Sequence, residues 1–314
     1  MRIGSARAGF TLVELIAATT IAAVVGSALM LTLRRQERFY RAAAEVLQVR
    51  AQLRDAADVL AADIRGTAVA RYGFPLMTDS AMELFSTIGS SVACRAPVGR
   101  TIFLPPVVLA GAPGLTSLLA SPDTGDVALI YAIPAGVPDS GRWMEFRISA
   151  FGSRSLASSC PPDTGFTSAA DAAAGQPGYA VTLSDIPSPS VRKGAPIRFI
   201  RRARYSLYRS SDNNWYLGYR RCNAVGRSIC GTIQPVSGPY LPYRGSGGTG
   251  AGLAFRYFDS TGEEVVDALL SPAVARIDVV LRGETAREVS FAGDARQRLR
   301  DSAIVSVSPR NRAR

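Results

Sequence analysis

Three stretches of different hydrophobic pattern follow one another along the chain. From Thr11 to Leu33 the run TLVELIAATTIAAVVGSALMLTL is apolar throughout, with one charge, Glu14. At about 1.5 Å per residue the run covers roughly 34 Å, against a hydrocarbon thickness of about 30 Å, so it predicts a membrane-spanning helix. A polar leader, residues 1–9, precedes it. An AxA-like secretory site would follow the apolar core, whereas here the processing point falls before it, so the helix is expected to survive maturation. A lone carboxylate at such a depth costs on the order of 2.5–3.5 kcal/mol. Glu14 therefore needs a partner, or must reach the headgroups from the helix end. Arg34 and Arg35 follow the span as Arg2 and Arg7 precede it, so flanking charge does not orient it.

After Leu33 the pattern becomes amphipathic. Phe39, Ala43, Val46, Leu53, Ala57, Leu60 and Ile64 recur at steps of three, four or seven, and neither Gly nor Pro occurs from Ser27 to Arg65. One continuous helix of about 55 residues follows, with Gly66 placed to end it as a left-handed C-cap. Residues 10–33 form its apolar part and 34–66 its amphipathic continuation.

From residue 67 to 314 short runs rich in Val, Ile, Phe and Tyr alternate with Pro, Gly, Ser and Asp clusters, which predicts a β-rich head and an α+β fold. Strands are expected at Thr101–Leu104, Asp126–Ala132, Trp143–Ser149, Tyr179–Leu183, Val274–Leu281 and Ala303–Val307. Two hairpins are expected. One joins Arg204–Arg209 to Trp215–Arg221 through residues 210–214, and the other joins Leu253–Phe258 to Glu263–Val266 through Asp259–Gly262. The Gly-rich stretch RGSGGTGAG within 240–252 has no strand before it and helix after it in the manner of a phosphate loop, and reads as a linker.

Composition narrows the chemistry. Histidine is absent, which removes His-based triads, His general bases and HExxH zinc sites, and the reading is of a non-enzyme without a cofactor. The net charge is +11, but the single lysine, Lys193, and the arginines are scattered and form no blocks, which argues against nucleic acid as a partner. Cys94, Cys160, Cys222 and Cys230 show no CxxC spacing and suit disulfides in an oxidising compartment. Four cysteines allow three connectivities. Cys222 and Cys230 lie close enough to staple a local loop, with Cys94–Cys160 as the second pair and free buried thiols as the alternative. Asp212 and Asp259 head acidic turns with oxygen atoms suited to calcium, although Asp and Asn belong in turns anyway. The first hairpin interleaves Tyr205, Tyr208, Trp215, Tyr216 and Tyr219 with arginines. Alternation places half of these aromatics in the core, and an exposed remainder would suit a subunit interface, single-stranded nucleic acid or sugar.

Gly9-Phe10-Thr11-Leu12-Val13-Glu14-Leu15 reads GFTLVEL and resembles the class III signal shared by type IV pilins and type II secretion pseudopilins. The resemblance implies cleavage after Gly9 by a prepilin peptidase at the cytoplasmic membrane face and N-methylation of Phe10. It places Glu14 at the fifth mature position, where its carboxylate would pair with the N-terminal amine of a neighbouring subunit and set register. Val59–Arg65 (VLAADIR), Leu253–Asp259 (LAFRYFD), Val274–Leu281 and Pro309-Arg310-Asn311 are similar to segments of J-type minor pseudopilins and PilW-like minor pilins. The implied protein is a minor subunit of a pseudopilus or pilus, in a priming or tip position, anchored by a single pass in the inner membrane with its head in the periplasm or outside the cell. Its implied partners are other pilins, the peptidase and the inner-membrane assembly platform. The competing readings are a membrane-tethered extracytoplasmic enzyme or carbohydrate-binding protein, and a DNA-uptake pilus subunit.

Overall fold

The computed structural model of the protein describes residues 11–68, 72–134, 140–224, 229–243, 250–289 and 296–310. The fold is α+β, a long N-terminal helix followed by a large antiparallel sheet. Helix α1 runs over Leu12–Gly66. The strands are β1 (Leu76–Met77), β2 (Ala81–Val92), β3 (Thr101–Leu104), β4 (Ser117–Leu118), β5 (Val127–Ala132), β6 (Arg142–Arg154) and β7 (Gly178–Leu183). They continue with β8 (Pro196–Arg209), β9 (Trp215–Cys222), β10 (Gln234–Tyr240), β11 (Leu253–Phe258), β12 (Arg276–Glu284) and β13 (Arg300–Val307). The chain divides into two compact units, residues 1–51 with 284–301, and residues 52–283 with 302–314.

In the first unit, Ala42 and Val49 of α1 are buried. Arg50 meets Asp301 at 2.7 Å, and Glu284 takes Arg298 at 3.1 Å and Arg300 at 3.6 Å.

In the second unit the strand order is β11-β12-β10-β9-β8-β5-β6-β7-β3, with β2 on β8 and β1 and β4 on β2. Strand β8 organises this arrangement. Along one edge it pairs with β2 from Ser206 to Pro196. Along the other, Arg202–Arg209 pair with β9 and Ile197–Ile200 with β5, leaving Arg201 at the junction between the two partners. Alternation on β3, β5, β6, β7 and β8 directs Ile102, Leu104, Ile130, Ile148, Leu183, Ile197 and Phe199 into one core cluster. The α1 positions Leu53, Ala57, Leu60 and Ile64 are buried, as their spacing predicts, and Ala56 and Ala61 join them. Each large side chain so covered contributes about 1.5–3 kcal/mol. Phe39 departs from the expected stripe and is 54% exposed.

The end of α1 also departs from expectation. Gly66 is not among the glycines with positive φ, so no left-handed cap forms. The last four carbonyls of a helix lack partners within it, and here other groups serve them. The carbonyl of Asp63 accepts from Thr67 Oγ1 at 2.9 Å and that of Ile64 from Thr67 N–H at 3.2 Å. The Arg65 carbonyl accepts from Arg310 N–H at 3.2 Å, and the Gly66 carbonyl from Thr87 Oγ1 on β2 at 2.9 Å. The Asp63 side chain, one turn earlier, accepts from Tyr205 Oη at 2.6 Å and Ser86 Oγ at 3.0 Å.

The aromatic hairpin is present, Arg209 facing Trp215 across the predicted turn. Tyr205 is buried and Tyr208, Trp215, Tyr216 and Tyr219 are half-buried, so it presents no fully exposed aromatic face. The second expected hairpin forms but is short: across the turn Asp259 N–H bonds the Glu263 carbonyl at 2.9 Å and Val265 N–H the Tyr257 carbonyl at 2.8 Å, around the bridge of Phe258 to Glu264. The longer pairing of Leu253–Phe258, over six residue pairs, is with β12 on its other edge. Two substantial strands, β2 and β10, have no counterpart in the sequence reading.

Two buried carboxylates hold β8. Glu83 on β2, 1% exposed, accepts from Arg202 Nε at 2.9 Å and Nη2 at 2.6 Å and pairs with Arg204. Asp126, fully buried, pairs with Arg201 at 2.7 Å and Arg221 at 3.1 Å, tying the end of β9 to the start of β5 across the junction. Both cysteine pairs form, Cys94–Cys160 and Cys222–Cys230.

Two outcomes test this account by urea unfolding of the full chain in detergent. At Gly66 an added Cβ meets nothing closer than the Thr87 backbone nitrogen at 3.8 Å. Gly66→Ala is expected to raise stability by up to about 1 kcal/mol, whereas a left-handed cap would make the same change destabilising. Glu83→Ala leaves Arg202 buried without its carboxylate and is expected to cost about 3–5 kcal/mol. A cost under about 1 kcal/mol would show that the pair does not hold the β2–β8 contact.

Candidate functional site

The first half of α1 is the segment whose chemistry asks most for a partner. Every residue from Thr11 to Arg41 is exposed. Among them Leu12 is 76% exposed, Ile21 64%, Leu29 60% and Leu33 59%. Each such side chain gains about 1.5–3 kcal/mol on full burial, so a continuous row of them in water is untenable, and lipid or other helices must cover it. The helix is long and apolar enough to cross a membrane.

Its polar groups are satisfied internally, as a nonpolar surrounding demands. Thr19 Oγ1 bonds the Leu15 and Ile16 carbonyls, each at 3.0 Å, and Thr20 Oγ1 the Ile16 carbonyl at 2.6 Å. Ser27 Oγ bonds the Val24 carbonyl at 2.8 Å and Thr32 Oγ1 the Ala28 carbonyl at 2.9 Å. Each hydroxyl proton is thus used within the helix, the back-bonding geometry that side chains of this kind adopt.

Glu14 has a local partner that the sequence reading does not assign. Thr11 N–H and Thr11 Oγ1 both bond Glu14 Oε2 at 3.0 Å, and Glu14 N–H returns to Thr11 Oγ1 at 3.3 Å. With α1 beginning at Leu12, this is a reciprocal capping box. The pattern Thr-x-x-Glu ahead of an apolar run is the signal that reveals it. The negative side chain also lies at the positive end of the helix dipole. Gly9 and Phe10 lie outside the described residues.

The other sequence candidates do not converge. Asp212 accepts within its own turn, from Asn214 N–H and Nδ2 at 3.0 Å each and Tyr216 Oη at 2.7 Å. Asp259 accepts at Oδ1 from Thr261 N–H at 2.8 Å, Thr261 Oγ1 at 2.7 Å and Glu263 N–H at 3.0 Å. Their turns explain both residues. Among the described residues, one group of acidic and sulfur atoms meets closely enough to suggest a metal, Glu83 with Cys222 and Cys230, within 4.8 Å of one another. Both sulfurs are committed to their disulfide and the carboxylate to two arginines, so the group is structural.

The sequence reading also passes over Asp171, which links two loops. It is 2% exposed and accepts from Ala110 N–H at 2.5 Å. It further accepts from Ser168 N–H at 2.6 Å and Ser168 Oγ at 2.7 Å, capping the short helix Ala169–Ala173. These bonds, the Ala110 N–H foremost, hold its carboxyl below the usual carboxylate range. Elsewhere, burial and the Asp63 carboxylate push the Tyr205 phenol far up.

Comparison of the chain with protein-family models, curated proteins and solved structures finds no match.

Asp171 supplies a pH test. A carboxyl whose folded value is depressed contributes stability in full above its unfolded value, about 3.9, and loses it as pH falls through the lower folded value. Asp171→Asn is expected to lower Tm near neutral pH and to narrow its difference from the parent as pH drops from about 5 to 2, followed by circular dichroism. A deficit that persists unchanged at pH 2 would show that charge plays no part.

Proposed function

We propose that the chain is a minor subunit of a pilin-type filament, a type II secretion pseudopilus or a type IV pilus, and that it works by assembly. A prepilin peptidase cuts after Gly9 and methylates Phe10. The Leu12–Leu33 segment then holds the protein in the inner membrane, head outward, until it moves into a filament core where neighbouring helices replace lipid. The observation that carries this reading is the GFTLVEL motif at the head of a helix half with no buried residue. An anchor alone would explain the exposed apolar surface. Placing the segment's one carboxylate at its membrane-entry end, four residues after Phe10, adds a means of pairing with a neighbour's amine.

The capping box refines the mechanism. Within one chain Glu14 serves its own helix through Oε2, so pairing across subunits must add to that bond or exchange for it. Two substitutions separate the roles. Glu14→Gln keeps an oxygen for the cap and removes the charge, whereas Thr11→Ala removes a cap donor and keeps the charge.

In the native host, mass spectrometry of the purified chain is expected to show Phe10 as the N-terminus with one added methyl group. An intact Met1 would overturn the filament reading. Glu14→Gln is expected to insert and be cleaved normally but to fall more than about tenfold in the sheared filament fraction, since it leaves an amine unpaired in an apolar core. Thr11→Ala is expected to stay within about threefold of the parent. Normal incorporation of Glu14→Gln would remove the pairing role and leave the processing result standing.

A further inference from the structure

Several arginines of the second unit stand in ion pairs, with Glu83, Asp123, Asp126, Glu264 and Asp278 as their partners. One cleft gathers arginines that do not. A hollow of about 540 Å³ at the end of α1 is lined by Arg65, Arg198, Arg310, Thr87, Ser90, Ala62 and Gly66, with no carboxylate among the described residues of its wall. All three arginines are exposed, and none has an ion-pair partner among the described residues.

The fold itself brings them together. Arg65 stands in the last turn of α1, and Arg310 is drawn to it by the bond from its own N–H to the Arg65 carbonyl at 3.2 Å. Arg198 on β8 stands opposite Ser90 on β2. Its guanidinium lies over the Trp143 ring, 4.9 Å from the centroid. Stacking of this kind uses the flat face of a guanidinium and leaves its N–H edges free to donate. Thr87 has spent its proton on the Gly66 carbonyl.

The sign of the site survives the helix dipole. A helix C-terminus carries about half a negative charge, and three guanidinium charges outweigh it by roughly 2.5. Guanidinium edges match carboxylates bidentately. We infer that this cleft binds an acidic segment of a protein partner, two or three carboxylate side chains deep. A single cluster of three guanidinium groups favours such a short segment over nucleic acid, whose affinity comes from long runs of phosphates. The inference stands apart from the filament reading, since it uses no residue of the apolar helix half.

Trp143 is one of only two tryptophans and reports directly on Arg198. The full chain in neutral detergent would be titrated with a hexaglutamate peptide while tryptophan emission is followed, with dT12 as the nucleic-acid arm. Saturable binding of the peptide is expected, weakened about tenfold by each of Arg65→Gln, Arg198→Gln and Arg310→Gln. Arg256→Gln, whose side chain pairs with Glu264 elsewhere, is expected to leave it unchanged. Unchanged near-ultraviolet circular dichroism would confirm that each variant is folded. The assignment is overturned if the peptide does not bind, or if the three cleft variants bind it like the parent. It is equally overturned if dT12 binds more tightly than the peptide with a salt slope of more than about three phosphates' worth.

Discussion

The four carbonyls that close α1 are the constraint around which the head is organised. A helix end buried without partners would be costly, about 1–3 kcal/mol for each unsatisfied group. Here Thr67, Arg310 and Thr87 supply the donors. The donor from Thr87 fixes the helix end against β2, and that from Arg310 draws the last described residue of the chain to the same place. Asp63 then ties the preceding turn to β8 through Tyr205 and to β2 through Ser86. With β2 and β8 so positioned, the β8 edge can be shared between β9 and β5, and the junction is closed by Asp126 with Arg201 and Arg221.

Polar groups do the joining in the head, and apolar surface fills what they enclose. In the Leu12–Leu33 segment the relation is reversed. Its hydroxyls and Glu14 turn inward on the helix's own backbone, leaving an outer surface that is almost wholly apolar. One continuous helix thus carries two kinds of surface. The boundary is visible in burial, since no described residue before Ala42 is buried while Leu53, Ala56, Ala57, Leu60, Ala61 and Ile64 are.

Much of this was legible in the sequence where one physical signal dominated. Unbroken helical periodicity placed α1 and its C-terminal end, and alternating Val, Ile and Phe placed β3, β5, β7 and β9 within a residue or two, while β8 begins at Pro196, eight residues before the expected Arg204. Strand β2 escaped because AMELFSTIGSSV carries Glu, Gly and three Ser in a strand covered on both faces, where alternation disappears. Strand β10 escaped because QPVSGPY contains two prolines, which ordinarily argue against a strand. The second hairpin was legible at its turn but not in its extent. The turn at Asp259–Gly262 forms and carries a short ladder, whereas the long partner of β11, along its other edge, is β12 with its alternating buried Ile277, Val279 and Leu281. At Gly66 the residue type suggested a left-handed cap, but donors distant in sequence made one unnecessary.

The candidate sites divide in the same way. The motif at residues 9–15 and the capping box within it are contiguous, so sequence suffices to read them. Glu83, Asp126 and the Arg65–Arg198–Arg310 cleft are assembled from residues separated by up to the length of the head, and nothing in the local composition marks them. The scattered arginines illustrate the difference. Dispersal along the chain argued against a basic binding surface, yet folding gathers three of them into one hollow while pairing many others with carboxylates. Net charge is a property of the chain, but the charge a partner meets depends on which arginines the fold leaves unpaired, and that is set by the strand register and by the bond from Arg310 to the end of α1.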